Sequence, residues 1–103
     1  MKRNEPLLRL LHKLKPSVVR MVMREAPPDL IKALCECALN VLKGNIKLTP
    51  AQLKKLARYK NVLRSLAAKR TSMKNRKTIL QKGGLIGALL APVLGVLGRL
   101  LLR

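Results

Sequence analysis

The hydrophobic and polar positions of residues 29–43 follow the period of a single α-helix. The polar residues of this segment lie three or four positions apart and form one narrow stripe, and every other residue is apolar. Asp29, after two prolines, is a good N-cap, and Gly44 suits the position just past the C-terminus. A helix that is apolar over most of its circumference needs cover on several sides. The pattern therefore predicts the central helix of a small bundle.

Two shorter amphipathic segments precede this central helix. Residues 6–15 place leucines on one face at helical spacing, and Pro6 suits the first helical position. Pro16 should end or kink that helix. A second helix is predicted over residues 17–26, with Ser17 as its N-cap and a broad apolar face. We expect both helices to cover one side of the central helix.

The strongest local signal for a helix start lies after the central helix. Thr49, Pro50 and Gln52 have the spacing of a capping box with proline at the first helical position. The pattern predicts one helix from Pro50 to about Lys69, with a basic exposed side. Because the link to the central helix is short, we expect the two helices to be antiparallel neighbours.

These elements divide the chain into three parts. The pattern of residues 6–69 predicts an all-α bundle, made of short N-terminal helices and an antiparallel helical hairpin. Residues 70–84 form a basic linker that ends in a hinge at Gly83 and Gly84. The linker has no clear apolar face, so both a short helix and an extended chain are open for it. A hydrophobic C-terminal segment, predicted to be helical, follows over residues 85–103.

The C-terminal segment begins with fourteen uncharged residues, 85–98. As a helix they span about 21 Å, whereas the hydrocarbon core of a bilayer is about 30 Å thick. Pro92 would kink such a helix, and Gly87, Ala91 and Gly95 form a small-residue stripe that permits close helix contact in lipid. Membrane insertion and packing as a core helix are the two alternatives. The predicted membrane-contacting residues are Leu85, Ile86, Leu89, Leu90, Val93, Leu94, Val96 and Leu97.

Charge changes the picture more than any other feature of the composition. The chain has 23 Lys and Arg against 4 Asp and Glu, a formal net charge of +19, and no acid follows Glu36. Such a surface attracts polyanions: nucleic acid, anionic lipid or an acidic protein. With one tyrosine and no other aromatic residue, the chain lacks the stacking side chains that sequence-specific RNA readout normally uses. The predicted nucleic-acid-binding residues are Lys54, Lys55, Arg58, Lys60, Arg64, Lys69, Arg70, Lys74, Arg76, Lys77 and Lys82.

Side chains for catalysis are scarce. The four acids and the single His12 form no pairing of a nucleophile with a base. Cys35 and Cys37 would point about 200° apart on one helix, so they cannot bridge each other, and we expect buried apolar thiols. The sequence therefore predicts a protein that is not an enzyme, with no metal, cofactor or small-molecule substrate.

Two stretches resemble known proteins. The basic segment, followed by Gly83, Gly84 and a segment rich in Leu, Ala, Gly and Pro, resembles adenoviral core protein X, the precursor of mu. The stretch DLIKALCECALNVLKGNIKLTPAQLKKL is similar to short basic proteins encoded by polinton-type elements and adintoviruses. The resemblance implies a virion core protein that packages double-stranded DNA in the host nucleus. It also implies a tail that acts on membranes and a protease cleavage near Gly83 and Gly84.

Three functions are compatible with these observations. The leading hypothesis is a viral core protein that binds and condenses duplex DNA without reading its sequence, and that contacts other capsid or core proteins or itself. The alternative is a cationic protein that disrupts or anchors to anionic membranes and has no role with DNA. A third is a basic protein of RNA or ribosomes, which would prefer structured RNA to duplex DNA.

Overall fold

The computed structural model describes residues 5–82 and 84–101, and this part of the chain forms seven α-helices and no strand. The prediction of an all-α bundle is confirmed. The described residues extend over 35 × 26 × 25 Å. The helices are α1 (Glu5–Lys13), α2 (Pro16–Arg24), α3 (Pro28–Leu42), α4 (Pro50–Ala57), α5 (Lys60–Ala67), α6 (Met73–Leu80) and α7 (Leu85–Leu101).

Local sequence signals set most helix starts. At α4 the predicted capping box is confirmed: the Gln52 amide N–H donates to the Thr49 hydroxyl oxygen at 3.2 Å, and the Thr49 N–H donates to the Gln52 side-chain oxygen at 3.0 Å. The predicted N-caps Ser17 and Asp29 are wrong, because α2 and α3 each begin one residue earlier, at a proline. A proline at the first helical position has its φ already near the helical value and loses no hydrogen bond there.

The helix predicted from Pro50 to about Lys69 is in fact two helices. Arg58 and Tyr59 form a turn between α4 and α5, and the Tyr59 N–H donates to the Leu56 carbonyl at 2.9 Å. The break lets the two halves pack against different partners, since α4 lies against α7 and α5 lies against α3. The partner of the central helix is therefore α5 rather than a single long helix.

The N-terminal helices bury less than their pattern suggests. Leu8 and Leu11 of α1 are buried, whereas Leu7 and Leu10 are exposed. A nine-residue helix that packs mainly against α7 has room for only a narrow buried face.

The basic linker contains a helix, α6, so the helical alternative for this segment is the observed one. Leu80 is fully buried, and Met73 and Ile79 pack partly against the core. Ser72 caps the helix, because its hydroxyl oxygen accepts the Asn75 N–H at 3.1 Å. Packing against α2, α3 and α5 makes α6 part of the bundle rather than a free connection.

The hydrophobic C-terminal segment supplies a second core helix beside α3. α7 packs against α1, α3 and α4, and Leu85, Leu89, Leu90 and Val93 are almost completely buried. Of the two alternatives for this segment, the structure has the packed core helix. Among the described residues, no single helix is long and apolar enough to cross a membrane. Taken together, α6 and residues 85–95 have the length and composition of a membrane span, but the two helices meet at an angle of 92°.

Candidate nucleic-acid interface

The eleven predicted nucleic-acid-binding residues spread over three helices and the turns between them. Nine of them are exposed, and only Arg76 and Lys77 are half-buried. Their order along the chain is Lys54 and Lys55 on α4, Arg58 in the turn, Lys60 and Arg64 on α5, Lys69 and Arg70 in the next turn, Lys74, Arg76 and Lys77 on α6, and Lys82 after it. These residues come from a part of the chain without acids, because no Asp or Glu follows Glu36 in the sequence.

One group of these cations lies along a groove between α4 and α7. The groove has a volume of about 400 Å³ and is open to solvent. Lys54, Lys55 and Arg58 line one side of it, and small residues of α7 line the other. The remaining lining residues are Ala51, Gln52, Gly87, Ala88 and Ala91. The arrangement combines positive charge with a surface that has almost no side-chain bulk.

Arg76 differs from the other predicted cations because its side chain makes a hydrogen bond within the bundle. Its guanidinium donates to the Ala68 carbonyl at 2.8 Å and so ties α6 to the end of α5. The buried Nε of Arg76 has no hydrogen-bond partner within the part of the chain that is described. We therefore assign Arg76 a mainly structural role, with less of its side chain open to a phosphate than its exposed neighbours have.

The two thiols of α3 face the interior. Burial raises the pKa of Cys37 to about 12, and the nearby negative charge of Glu36 adds to the effect. Burial also raises the pKa of Cys35, although the positive charge of Arg76 opposes it. Both thiols are therefore protonated at neutral pH and are poor nucleophiles. The described residues contain no group of three or more His, Cys, Asp or Glu side chains placed to hold a metal ion.

The predicted membrane-contacting residues lie inside the bundle as far as the structure describes them. The buried ones are Leu85, Ile86, Leu89, Leu90, Val93 and Leu94. The side chains of Val96 and Leu97 lie outside the described residues. In this conformation the buried residues are core residues, and a membrane could reach them only after α7 leaves the bundle.

The predicted cleavage site falls at the turn before α7. Gly84 is exposed and has a φ of +80°, while Gly83 lies outside the described residues. The residues that follow, Leu85 and Ile86, are buried. A protease that needs an extended substrate could bind here only after the first turn of α7 unwinds.

Sequence reasoning missed the contribution of α7 to the basic groove. Gly87 and Ala91 were visible as a small-residue stripe, and their spacing indicated close helix contact in lipid. Their position beside α4 is a tertiary fact, because α4 and α7 are separated by two other helices along the chain. The small-residue stripe is the sequence feature that indicates this position, because it marks a helix face that another helix or a ligand can approach closely.

The chain matches no protein-family model, no curated protein and no solved structure. The exposed charge, the groove and the packing of α7 are the features that bear on its function.

Proposed function

We propose that this protein is not an enzyme and that it binds and condenses double-stranded DNA without reading its sequence. The observation that carries the proposal is the exposed positive surface of α4, α5 and the adjoining turns, in a region of the chain that has no acid. Phosphate neutralisation with counterion release needs only positive charge at suitable density, so it supplies affinity for any sequence.

The composition of this surface argues against readout of bases. Direct readout in the major groove uses Arg, Asn or Gln on a helix aimed at base edges, while the exposed cations here come from several short helices and turns. Tyr59 is the only aromatic residue of the chain and is only half-exposed. Stacking on unpaired bases is therefore a weak option, which favours duplex over single strands.

Condensation requires that one molecule, or an assembly of molecules, contacts more than one duplex. Exposed cations also lie on the other helices, among them Arg24 on α2 and Lys32 on α3. Positive charge on separate helices gives the molecule a second surface for phosphate contact. Self-association, or contact with other core or capsid proteins, would serve the same end.

The biological setting that we propose is a virion core assembled in the host nucleus. It rests on the resemblance of the chain to adenoviral and polinton-type core proteins. The alternative, a membrane-disrupting or membrane-anchored protein without a DNA role, depends on apolar residues of α7 that the core holds in this conformation. That packing favours DNA as the partner of the folded protein.

The test is binding of the full chain to a random-sequence duplex across a salt series, followed by fluorescence anisotropy. A truncation before α7 is unsuitable because it removes a core helix. We expect log K to fall linearly with log salt, by about 0.9 for each phosphate neutralised. For about 6–10 phosphate contacts, affinity should drop by about 10³–10⁵ between about 50 and 200 mM salt.

Three further ligands make the salt series decisive. Duplexes of different base composition should bind alike, whereas a strong preference for structured RNA would support the RNA hypothesis instead. Anionic vesicles should stay intact in the presence of the folded chain. Weak duplex binding at low salt together with vesicle leakage would overturn the proposal in favour of the membrane alternative.

A further inference from the structure

The groove between α4 and α7 has two unlike sides. One side carries Lys54, Lys55 and Arg58, which are all exposed. The other side is formed by α7, whose residues here are Gly87 and two alanines. None of the described residues that line the groove is acidic. An occupant must therefore bring negative charge to one side and tolerate an apolar, nearly flat surface on the other.

The α7 side of the groove permits a close approach to the helix backbone at Gly87. Gly87 is exposed and has no Cβ, and a Cβ built there would meet no atom within 4 Å. Ala88 and Ala91 extend no further than a methyl group. Space beside the helix is therefore open to a ligand, and it is not filled by neighbouring side chains of the bundle.

A purely apolar occupant does not suit this groove, because it would desolvate three cations without offering them a partner. A sugar–phosphate backbone suits both sides: its phosphates are anionic, and the carbons of its sugars are apolar. Lys and Arg are the side chains that most often contact DNA phosphates. The chemistry of the groove thus selects a polyanion with an apolar component.

We infer that one backbone strand of duplex DNA lies in the α4–α7 groove, with phosphates paired to Lys54, Lys55 and Arg58 and sugars against Gly87. The inference rests on the proposed DNA-binding function and gives it a location. It differs from diffuse attraction to a basic surface because it makes a neutral residue of α7 important for affinity.

The experiment compares Gly87→Leu with Gly95→Leu in the full chain. Both glycines are exposed on α7, and a Cβ at either position meets no atom within 4 Å, so both variants should fold. Only Gly87 lines the groove. With a random-sequence duplex, Gly87→Leu should bind about tenfold more weakly, with a salt slope shallower by about 0.9 for each phosphate that the variant no longer neutralises. Gly95→Leu should match the wild type.

A second pair of variants tests the charged side without changing shape. Replacing Lys54, Lys55 and Arg58 by Gln should weaken binding much more than replacing three exposed cations elsewhere by Gln. The control set, with the same change in net charge, is Lys13, Lys15 and Arg20. Circular dichroism of all variants checks that each is folded, and the Gln sets decide the matter if Gly87→Leu does not fold.

The outcomes separate the groove from the general function. If the wild type binds duplex DNA but both members of each pair bind equally well, the groove inference is overturned and non-specific binding stands. If the wild type does not bind duplex DNA, both fail. If Gly87→Leu blocks binding of polyglutamate but leaves DNA binding unchanged, the groove belongs to an acidic protein segment, which also overturns the inference.

Discussion

At the scale of single residues, Gly84 is constrained by its own backbone and by Tyr59. Its φ is +80°, and a Cβ added there would lie 3.2 Å from the Tyr59 hydroxyl oxygen. Gly84→Ala should lower the free energy of unfolding by about 1–2 kcal/mol, because residues other than glycine are strained at positive φ. Urea denaturation followed by circular dichroism measures the loss.

Gly44 provides the matched control for this substitution. Its φ is +76°, but a Cβ there would meet nothing within 4 Å. Gly44→Ala therefore carries the backbone cost alone, and Gly84→Ala should cost more by the contact with Tyr59. In a double-mutant cycle, Tyr59→Phe should cost less stability in the Gly84→Ala background than in the wild type, by about that difference. Equal losses at the two glycines would mean that the tyrosine ring simply moves aside.

Single residues also show where prediction from sequence stops. The exposure of Lys54 and Lys55 follows from their place on the polar side of a predicted helix, and the structure agrees. Arg76 looked like one more cation for phosphate contact. Its tie to the Ala68 carbonyl depends on a turn that brings two helices together, and nothing in the local pattern indicates that contact.

At the scale of helices, the packing of α7 in the core makes a prediction about stability. Leu89 is fully buried, so Leu89→Ala should lower the free energy of unfolding by about 2–5 kcal/mol through reduced burial and a cavity. Gly95→Ala on the same helix should raise it by up to about 1 kcal/mol, since Gly95 is exposed and alanine favours helix. Urea denaturation measures both. A tail detached from the bundle would leave stability unchanged by Leu89→Ala.

The helices differ in how far the sequence predicts them. The start of α4 was predictable because a capping box is a local device whose parts lie within four residues. The break at Arg58 and Tyr59 was not, since the apolar spacing continues across it. It arises because α4 and α5 pack on different helices, which is a property of the assembled bundle.

At the scale of the whole molecule, repulsion between positive charges lowers the stability of the folded state. A net charge of +19 on a body of 35 × 26 × 25 Å produces self-repulsion that the unfolded chain relieves by expanding. Raising the salt from about 0.01 M to about 1 M shortens the Debye length from about 30 Å to about 3 Å. The melting temperature should therefore rise by several degrees, since about 1 kcal/mol corresponds to roughly 4–8 °C in a domain of this size.

Thermal melts by circular dichroism across the salt series test this expectation, with the control set of Lys13, Lys15 and Arg20 replaced by Gln. That variant has three fewer positive charges and should melt higher than the wild type at low salt and gain less from added salt. A melting temperature that stays constant or falls with salt would show that repulsion does not limit the fold. A bound polyanion relieves the same repulsion. DNA added at low salt should therefore raise the melting temperature without any increase in salt.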